Sequence, residues 1–239
     1  MKVELFDDAL SVARAGAVAI AAHARAAVAS NRRFAMAISG GRTPWIMFGM
    51  LAKEDVPWFG VHIFQVDERV APEGHPDRNL TKLRESLLEH APVRPDQIHP
   101  MPVESADLAL AAAQYSVTLR DITGSPPMLD LVHLGLGPDG HTASLVPGDP
   151  VLDVTDEDVA MTGIYQGRHR LTLTYPVLND ARNVLWVVTG SDKAEMLRRL
   201  YEGDPSNPAG RVRRDAAVVL ADRAAAERLS LRAQSARGE

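Results

Sequence analysis

Four short stretches of this 239-residue chain carry side chains able to do chemistry together. Asp139-Gly140-His141 sets a carboxylate two residues from an imidazole, across a glycine. A carboxylate so placed holds the ring's orientation and favours its protonated form. A histidine held in that way is a candidate general base near neutral pH. Ser39-Gly40-Gly41-Arg42-Thr43-Pro44 offers paired glycines that let backbone N–H groups turn toward one point, with the hydroxyl of Thr43 and the charge of Arg42 beside them. Where such a loop runs into a helix start, the partial positive charge of the helix end completes an anion cradle suited to phosphate. In Asp67-Glu68-Arg69, neighbours on a strand point to opposite faces, so one or two of the three can face a cleft. In Gly190-Ser191-Asp192-Lys193 the lysine falls in a first helical turn, where a cation opposes the helix dipole and hints at an anionic ligand.

Several other chemistries are disfavoured. The glycine loop before Pro44 lacks the Gly-Lys-Ser/Thr ending of a Walker loop. Gly135-Leu136-Gly137-Pro138-Asp139-Gly140 has the form G-x-G-x-x-G, but a dinucleotide site needs an acid at the end of the next strand. The acids that follow, Asp153 and Asp156 to Asp158, lie in a polar stretch, and the Asp139 carboxylate would repel a pyrophosphate. Ser144 has no Gly-x-Ser-x-Gly elbow around it, which argues against a covalent serine mechanism. Cysteine is absent, and the remaining histidines show no metal-binding spacing, so neither a metal nor a cofactor is expected. A net charge of −5 argues against a nucleic-acid partner. The longest apolar run, Ala15 to Ala22, is shorter than the ~18–20 residues of a membrane span, and the first residues include acids where an export signal wants bases. A soluble, cytoplasmic protein with no membrane or protein partner is the expectation.

The elements that must position these stretches alternate along the chain. Apolar runs predict strands over Val3–Phe6, Phe34–Ile38, Val61–Val66, Ile98–Met101, Met128–Gly135, Asn183–Thr189 and Ala217–Leu220, with a further pair over Val159–Ile164 and Leu171–Thr174. Helices are predicted from Asp7 or Asp8 (as the cap) to about Ser30, then over Trp45–Ala52, Asn79–His90 and Ala106–Asp121, after Asp192 to about Glu202 with Lys193 in its first turn, and from Asp222 to about Ala233. Strands separated by helical patterns imply βαβ units, hence a single α/β domain over 1–239 with a mainly parallel sheet flanked by helices. In such a sheet the ligand site lies beyond the carboxyl ends of the strands, where all four stretches fall.

Taken together, Ser39-Gly40-Gly41-Arg42-Thr43-Pro44, Asp67-Glu68-Arg69-Val70, the Asn79-Leu80 to Leu87-Leu88 helix and Leu134 to Leu145 resemble the 6-phosphogluconolactonase family. Arg170-Leu171-Thr172-Leu173-Thr174 with Asn179, and Gly190-Ser191-Asp192-Lys193-Ala194, extend the resemblance from Phe34 to about Leu200. It implies a Rossmann-like fold shared with glucosamine-6-phosphate deaminase and ribose-5-phosphate isomerase. It also implies hydrolysis of a sugar-phosphate lactone, 6-phospho-D-glucono-1,5-lactone, with His141 activating water and Asp139 supporting it. Arg69 would lie by the reacting carbonyl. Gly40, Gly41, Arg42, Thr43, Arg170 and Lys193 would surround the phosphate, and Asp67 and Asn79 would contact substrate. Two other readings share related folds. A deaminase-isomerase would carry Tyr where this chain has Arg69, and Glu five residues after the histidine, where it has Val146. A non-catalytic sugar-phosphate sensor would be expected beside a DNA-binding helical module, and no basic helix pair is visible. Arg78 and Val146 depart from the small and aromatic residues common in the family, and both are expected beside the cleft.

Overall fold

Seven parallel strands set the frame. A computed structural model of the chain describes residues 1–30 and 32–230. In chain order the strands are β1 (Lys2–Phe6), β2 (Phe34–Ile38), β3 (Val61–Gln65), β4 (Asp67–Arg69), β5 (Ile98–His99), β6 (Leu131–Leu134), β7 (Val159–Met161), β8 (Arg170–Leu173), β9 (Val184–Val188) and β10 (Ala217–Asp222). The α-helices are α1 (Ala9–Ala29), α2 (Arg42–Leu51), α3 (Asn79–Leu83), α4 (Leu108–Thr123), α5 (Tyr175–Asp180) and α6 (Ala194–Glu202). The large sheet runs β1-β10-β9-β6-β2-β3-β5, with every pairing parallel. A second, antiparallel sheet has the order β4-β8-β7.

The central strands β2, β6 and β9 are buried at every position, which is why they read as unbroken apolar runs. Their side chains alternate between two cores. Phe34, Met36 and Ile38 join α1 and α2 on one face, while Ala35 and Ala37 face Trp186 and the α4 residues Ala111, Tyr115 and Leu119 on the other. Asp8 caps α1 by accepting the Ser11 N–H at 2.7 Å. The length and mean hydropathy of α1 (1.2) would suit a membrane span, yet Val12, Ala13, Ala17 and Ile20 pack into the core. Gly16 lets α1 and α2 meet, since a Cβ there would stand 2.4 Å from Met47 Sδ.

The second sheet grows out of the first at one residue. Val66 donates its N–H to Ile38 O of β2 at 3.0 Å and accepts the Leu173 N–H of β8 at 2.8 Å. The chain leaving β3 therefore enters β4 beyond the end of β2, with Asp67 opposite Thr172 and Arg69 opposite Arg170.

Some boundaries differ from expectation. The Asn79–His90 helix keeps one α-turn as α3 and then widens into a π-helical segment, Arg84–Leu88. The strands expected at Ile98–Met101 and Val159–Ile164 shrink to two and three residues. The helix expected from Asp222 does not form over 223–228, which are turns. There the Asp222 carboxylate accepts the N–H groups of Gly190 and Ala225, and β10 runs on to that residue. The rest of that expected helix, from residue 231, lies outside the described residues.

Candidate functional site

Strand order reverses between β2 and β6: the chain moves outward from β2 through β3 to β5, then returns to lay β6 on β2's other side. Loops leaving the carboxyl ends of two such strands part and open a crevice. A cavity of about 390 Å³ occupies this place. Gly40, Gly41, Arg42, Thr43, Asp67, Arg69, Asn79, His141, Arg170 and Lys193 all line it. Asp139 stands behind the wall, bonded to His141.

The β2 loop turns at Gly41, which caps α2 with φ of +144°, a conformation open mainly to glycine. Gly40 is bare for a different reason, because a Cβ there would stand 2.3 Å from Asn79 Oδ1 and 2.8 Å from the Trp45 ring. The first intrahelical acceptor bond of α2 is made by Trp45 N–H to Gly41 O at 3.1 Å. The amides before it are the open donors of a helix start. Helix α2 begins at Arg42, earlier than the sequence suggests, so Pro44 sits within the first turn, where no N–H is needed. Thr43 Oγ1 lies 2.7 Å from Thr189 Oγ1, tying this loop to the end of β9. Lys193 lines the same side and pairs with Asp192 at 3.0 Å. Behind the loop, the Ser39 N–H donates to Nδ1 of the fully buried His133 at 3.3 Å. Burial pushes the pKa of His133 down to about 3.

The β6 loop places the imidazole. Gly137 N–H donates to His141 O at 2.8 Å and Gly140 N–H to Gly137 O at 3.1 Å, folding the loop on itself. A Cβ on Gly137 would stand 2.1 Å from His141 Nδ1 and 2.6 Å from Asp139 Oδ1, so the bare glycine makes room for the pair. His141 Nδ1 is 2.6 Å from Asp139 Oδ1. An ionised carboxylate can only accept, so Nδ1 carries the hydrogen and Nε2 of a neutral ring keeps its lone pair. Partial burial alone would raise the Asp139 pKa. The His141 charge and hydrogen bonds outweigh it, and the carboxyl sits below the ordinary range.

The opposite wall belongs to the small sheet. Asp67 and Arg69 line the cavity while Glu68, between them, points the other way and is fully buried. The Glu68 carboxylate accepts N–H bonds from Arg69, Asn79 and Leu80, each at 2.8 Å, and so clamps the start of α3 onto β4. This places Asn79 Oδ1 where Arg69 Nη1 donates to it at 2.9 Å. Asp67 accepts from Ser144 Oγ at 2.6 Å, and Arg170 Nη1 reaches the same hydroxyl at 3.5 Å. Arg168, two residues from Arg170, turns instead to Asp77 at 3.1 Å.

Two expectations about the neighbourhood change. Arg78 does not line the cleft: it is buried beneath it, 3.3 Å from Glu68 and 3.1 Å from Glu104. Val146 is likewise buried away from the cavity lining. The sequence reading missed Tyr165, whose hydroxyl donates to Asp139 Oδ2 at 3.1 Å, and the supporting roles of Ser144, Thr189 and Glu68. The signal for Tyr165 is the polar Tyr-Gln-Gly-Arg stretch between the strands expected at Val159–Ile164 and Leu171–Thr174, to which the sequence reading gave no role. Among the described residues, no group of three His, Asp or Glu side chains is placed to hold a metal ion.

Comparison with known proteins follows the same lines. A family model described as glucosamine-6-phosphate isomerases/6-phosphogluconolactonase matches residues 7–220. The 6-phosphogluconolactonase of Synechocystis sp. is 38% identical over 185 residues, covering 75% of this chain and 77% of that protein. That of Mycobacterium tuberculosis is 35% identical over 242 residues, 95% of this chain and 98% of the relative. Among solved structures, Trypanosoma brucei 6-phosphogluconolactonase superposes with a TM-score of 0.86 at 25% identity, covering 96% of this chain and 98% of that one. A monomeric glucosamine-6-phosphate deaminase shares the fold, with a TM-score of 0.81 at 20% identity over 96% of this chain and 100% of its own. With a family match spanning nearly the whole described chain, this protein belongs to the glucosamine-6-phosphate isomerase/6-phosphogluconolactonase family.

Proposed function

We propose that this chain is a 6-phosphogluconolactonase, an ester hydrolase that converts 6-phospho-D-glucono-1,5-lactone to 6-phospho-D-gluconate. The observation that carries the reading is the shared crevice: a histidine with a free Nε2 and a glycine cradle at a helix start line one cavity of about 390 Å³. Neutral His141 takes a proton from water as the water oxygen attacks C1. The Arg69 guanidinium, whose hydrogen-bond partners among the described residues are the neutral Asn79 Oδ1 and Asp77 O, stabilises the oxyanion. The C1–O5 bond then breaks, His141 returns its proton to O5, and the product leaves as the open-chain acid. Gly40, Gly41, Arg42, Thr43, Arg170 and Lys193 hold the phosphate, whose binding energy orients the distant carbonyl. Asp67 and Asn79 contact the sugar. A δ-lactone is an activated ester, so the reading asks for no metal, cofactor or macromolecular partner, and takes 1–239 as one cytoplasmic domain.

The related deaminase chemistry fits these residues poorly. Val146, five residues after His141, is apolar and buried, and Arg69 follows Glu68. A paired assay in the presence of a chelator tests the choice. Acid release from 6-phosphogluconolactone above the spontaneous rate, with no ammonia from glucosamine 6-phosphate, is the expected outcome. Ammonia without acid overturns it.

A further inference from the structure

The Tyr165-Gln166-Gly167-Arg168 turn reaches back over the crevice wall. Tyr165 and Arg168 exchange backbone hydrogen bonds at 3.0 and 3.3 Å, and the two residues between them have φ of +53° and +80°. That is a two-residue reversal whose twist suits a hairpin. Its far side is fastened by the Arg168 guanidinium to Asp77 at 3.1 and 3.2 Å. Tyr165 itself does not line the cavity. It touches three groups that serve it, Asp139, His141 and Arg170.

With one hydroxyl bond of 3.1 Å, Tyr165 takes Asp139 Oδ2, while Oδ1 takes the His141 ring at 2.6 Å. Both carboxylate oxygens are thereby engaged, and rotating the group away from the imidazole would break the Tyr165 bond as well. The tyrosine ring stands edge-on to His141, centroids 5.5 Å apart, and the Arg170 guanidinium lies 4.9 Å over its face. Arg170 Nη2 also donates to Gln166 Oε1 of the same turn at 3.2 Å. A ring face under a guanidinium attracts and orients it.

We infer that Tyr165 is a positioning residue for the hydrolysis proposed above, one side chain that fixes the base through Asp139 and the substrate-side cation through Arg170. The inference rests on that reading of His141 and Arg170. The charged and titratable groups facing His141 are Asp139 and Tyr165 in contact, with Asp67, Arg69, Arg170, Arg42, Asp192 and Lys193 on the other cavity walls. Tyr165→Phe leaves all of them in place except the hydroxyl. Losing that donor makes Asp139 a more basic partner, and a more basic carboxylate favours the imidazolium. The neutral base is then reached only at higher pH.

The test is the pH profile of lactone hydrolysis by Tyr165→Phe, Tyr165→Leu and His141→Asn beside the natural chain. Tyr165→Phe is expected to move the acid limb of kcat/KM upward by about half a unit, with KM unchanged. Tyr165→Leu, which also strips the ring from Arg170, is expected to add a rise in KM of about 3- to 10-fold. If His141→Asn is inactive and Tyr165→Phe keeps the natural limb, the positioning role is wrong while the hydrolysis reading stands. The positioning role also fails if both tyrosine variants raise KM equally with the limb unmoved, which marks a purely structural turn. If His141→Asn turns over normally, the hydrolysis reading falls and this inference with it.

Discussion

The two walls of the crevice are built by different means. One is made of loops at the ends of β2, β6 and β9, and backbone sets its shape: the helix start of α2, and glycines that leave room for Asn79 and for the His141–Asp139 pair. The other is the sheet β4-β8-β7, and it works through side chains, with Arg69 and Arg170 set opposite each other by antiparallel register. The first wall descends from local sequence; the second exists only once segments about a hundred residues apart have paired.

The contrast can be broken from either side. His141→Asn, on the first wall, should lower kcat by about 10²–10⁴-fold with thermal stability intact, measured by acid release and a melt. Arg69→Met, on the second, should lower kcat by about 10²-fold, and a rise in KM alone would move this guanidinium from the carbonyl to the phosphate end. Gly40→Ala should raise KM by about tenfold, since its Cβ would meet Asn79 and Trp45; Gly49→Ala, inside the α2 helix that follows and with its nearest neighbour 3.7 Å away, should instead stabilise the fold by about 0.5–1 kcal/mol and leave kinetics alone. His133 supports the first wall from below. Its folded pKa, about 3, lies under the ordinary 6.5, so its contribution is whole above pH 6.5 and fades as pH falls toward 3. Denaturant unfolding should therefore lose about 1 kcal/mol per pH unit below 6.5, and His133→Gln should flatten that slope.

Much of the first wall was legible because its determinants are contiguous. Paired glycines after an apolar run, or a carboxylate two residues from a histidine, carry their meaning within six residues. The buried strands β2, β6 and β9 were legible too, since two-sided burial leaves an unbroken apolar signature. The small sheet was half legible. Alternation showed that Asp67-Glu68-Arg69 could not all face the cleft, but only the packing of α3 onto β4 decides that Glu68 is the one turned inward. Arg170 over Arg168 and the reach of Tyr165 depend on a turn whose direction no local pattern encodes. The Asp222 carboxylate, read from sequence as the start of a helix, also ties β10 to the loop after β9 through the Gly190 N–H, a long-range contact that no local pattern encodes.

Imidazole and anion cradle, on this view, act on opposite ends of one hexose-sized molecule. A crystal structure of the complex with 6-phosphogluconate tests that arrangement directly. The phosphate is expected within about 3 Å of the amides that begin α2 and of Lys193, with the C1 carboxylate facing His141 Nε2 and Arg69. A phosphate bound elsewhere, or C1 turned away from His141, would contradict it.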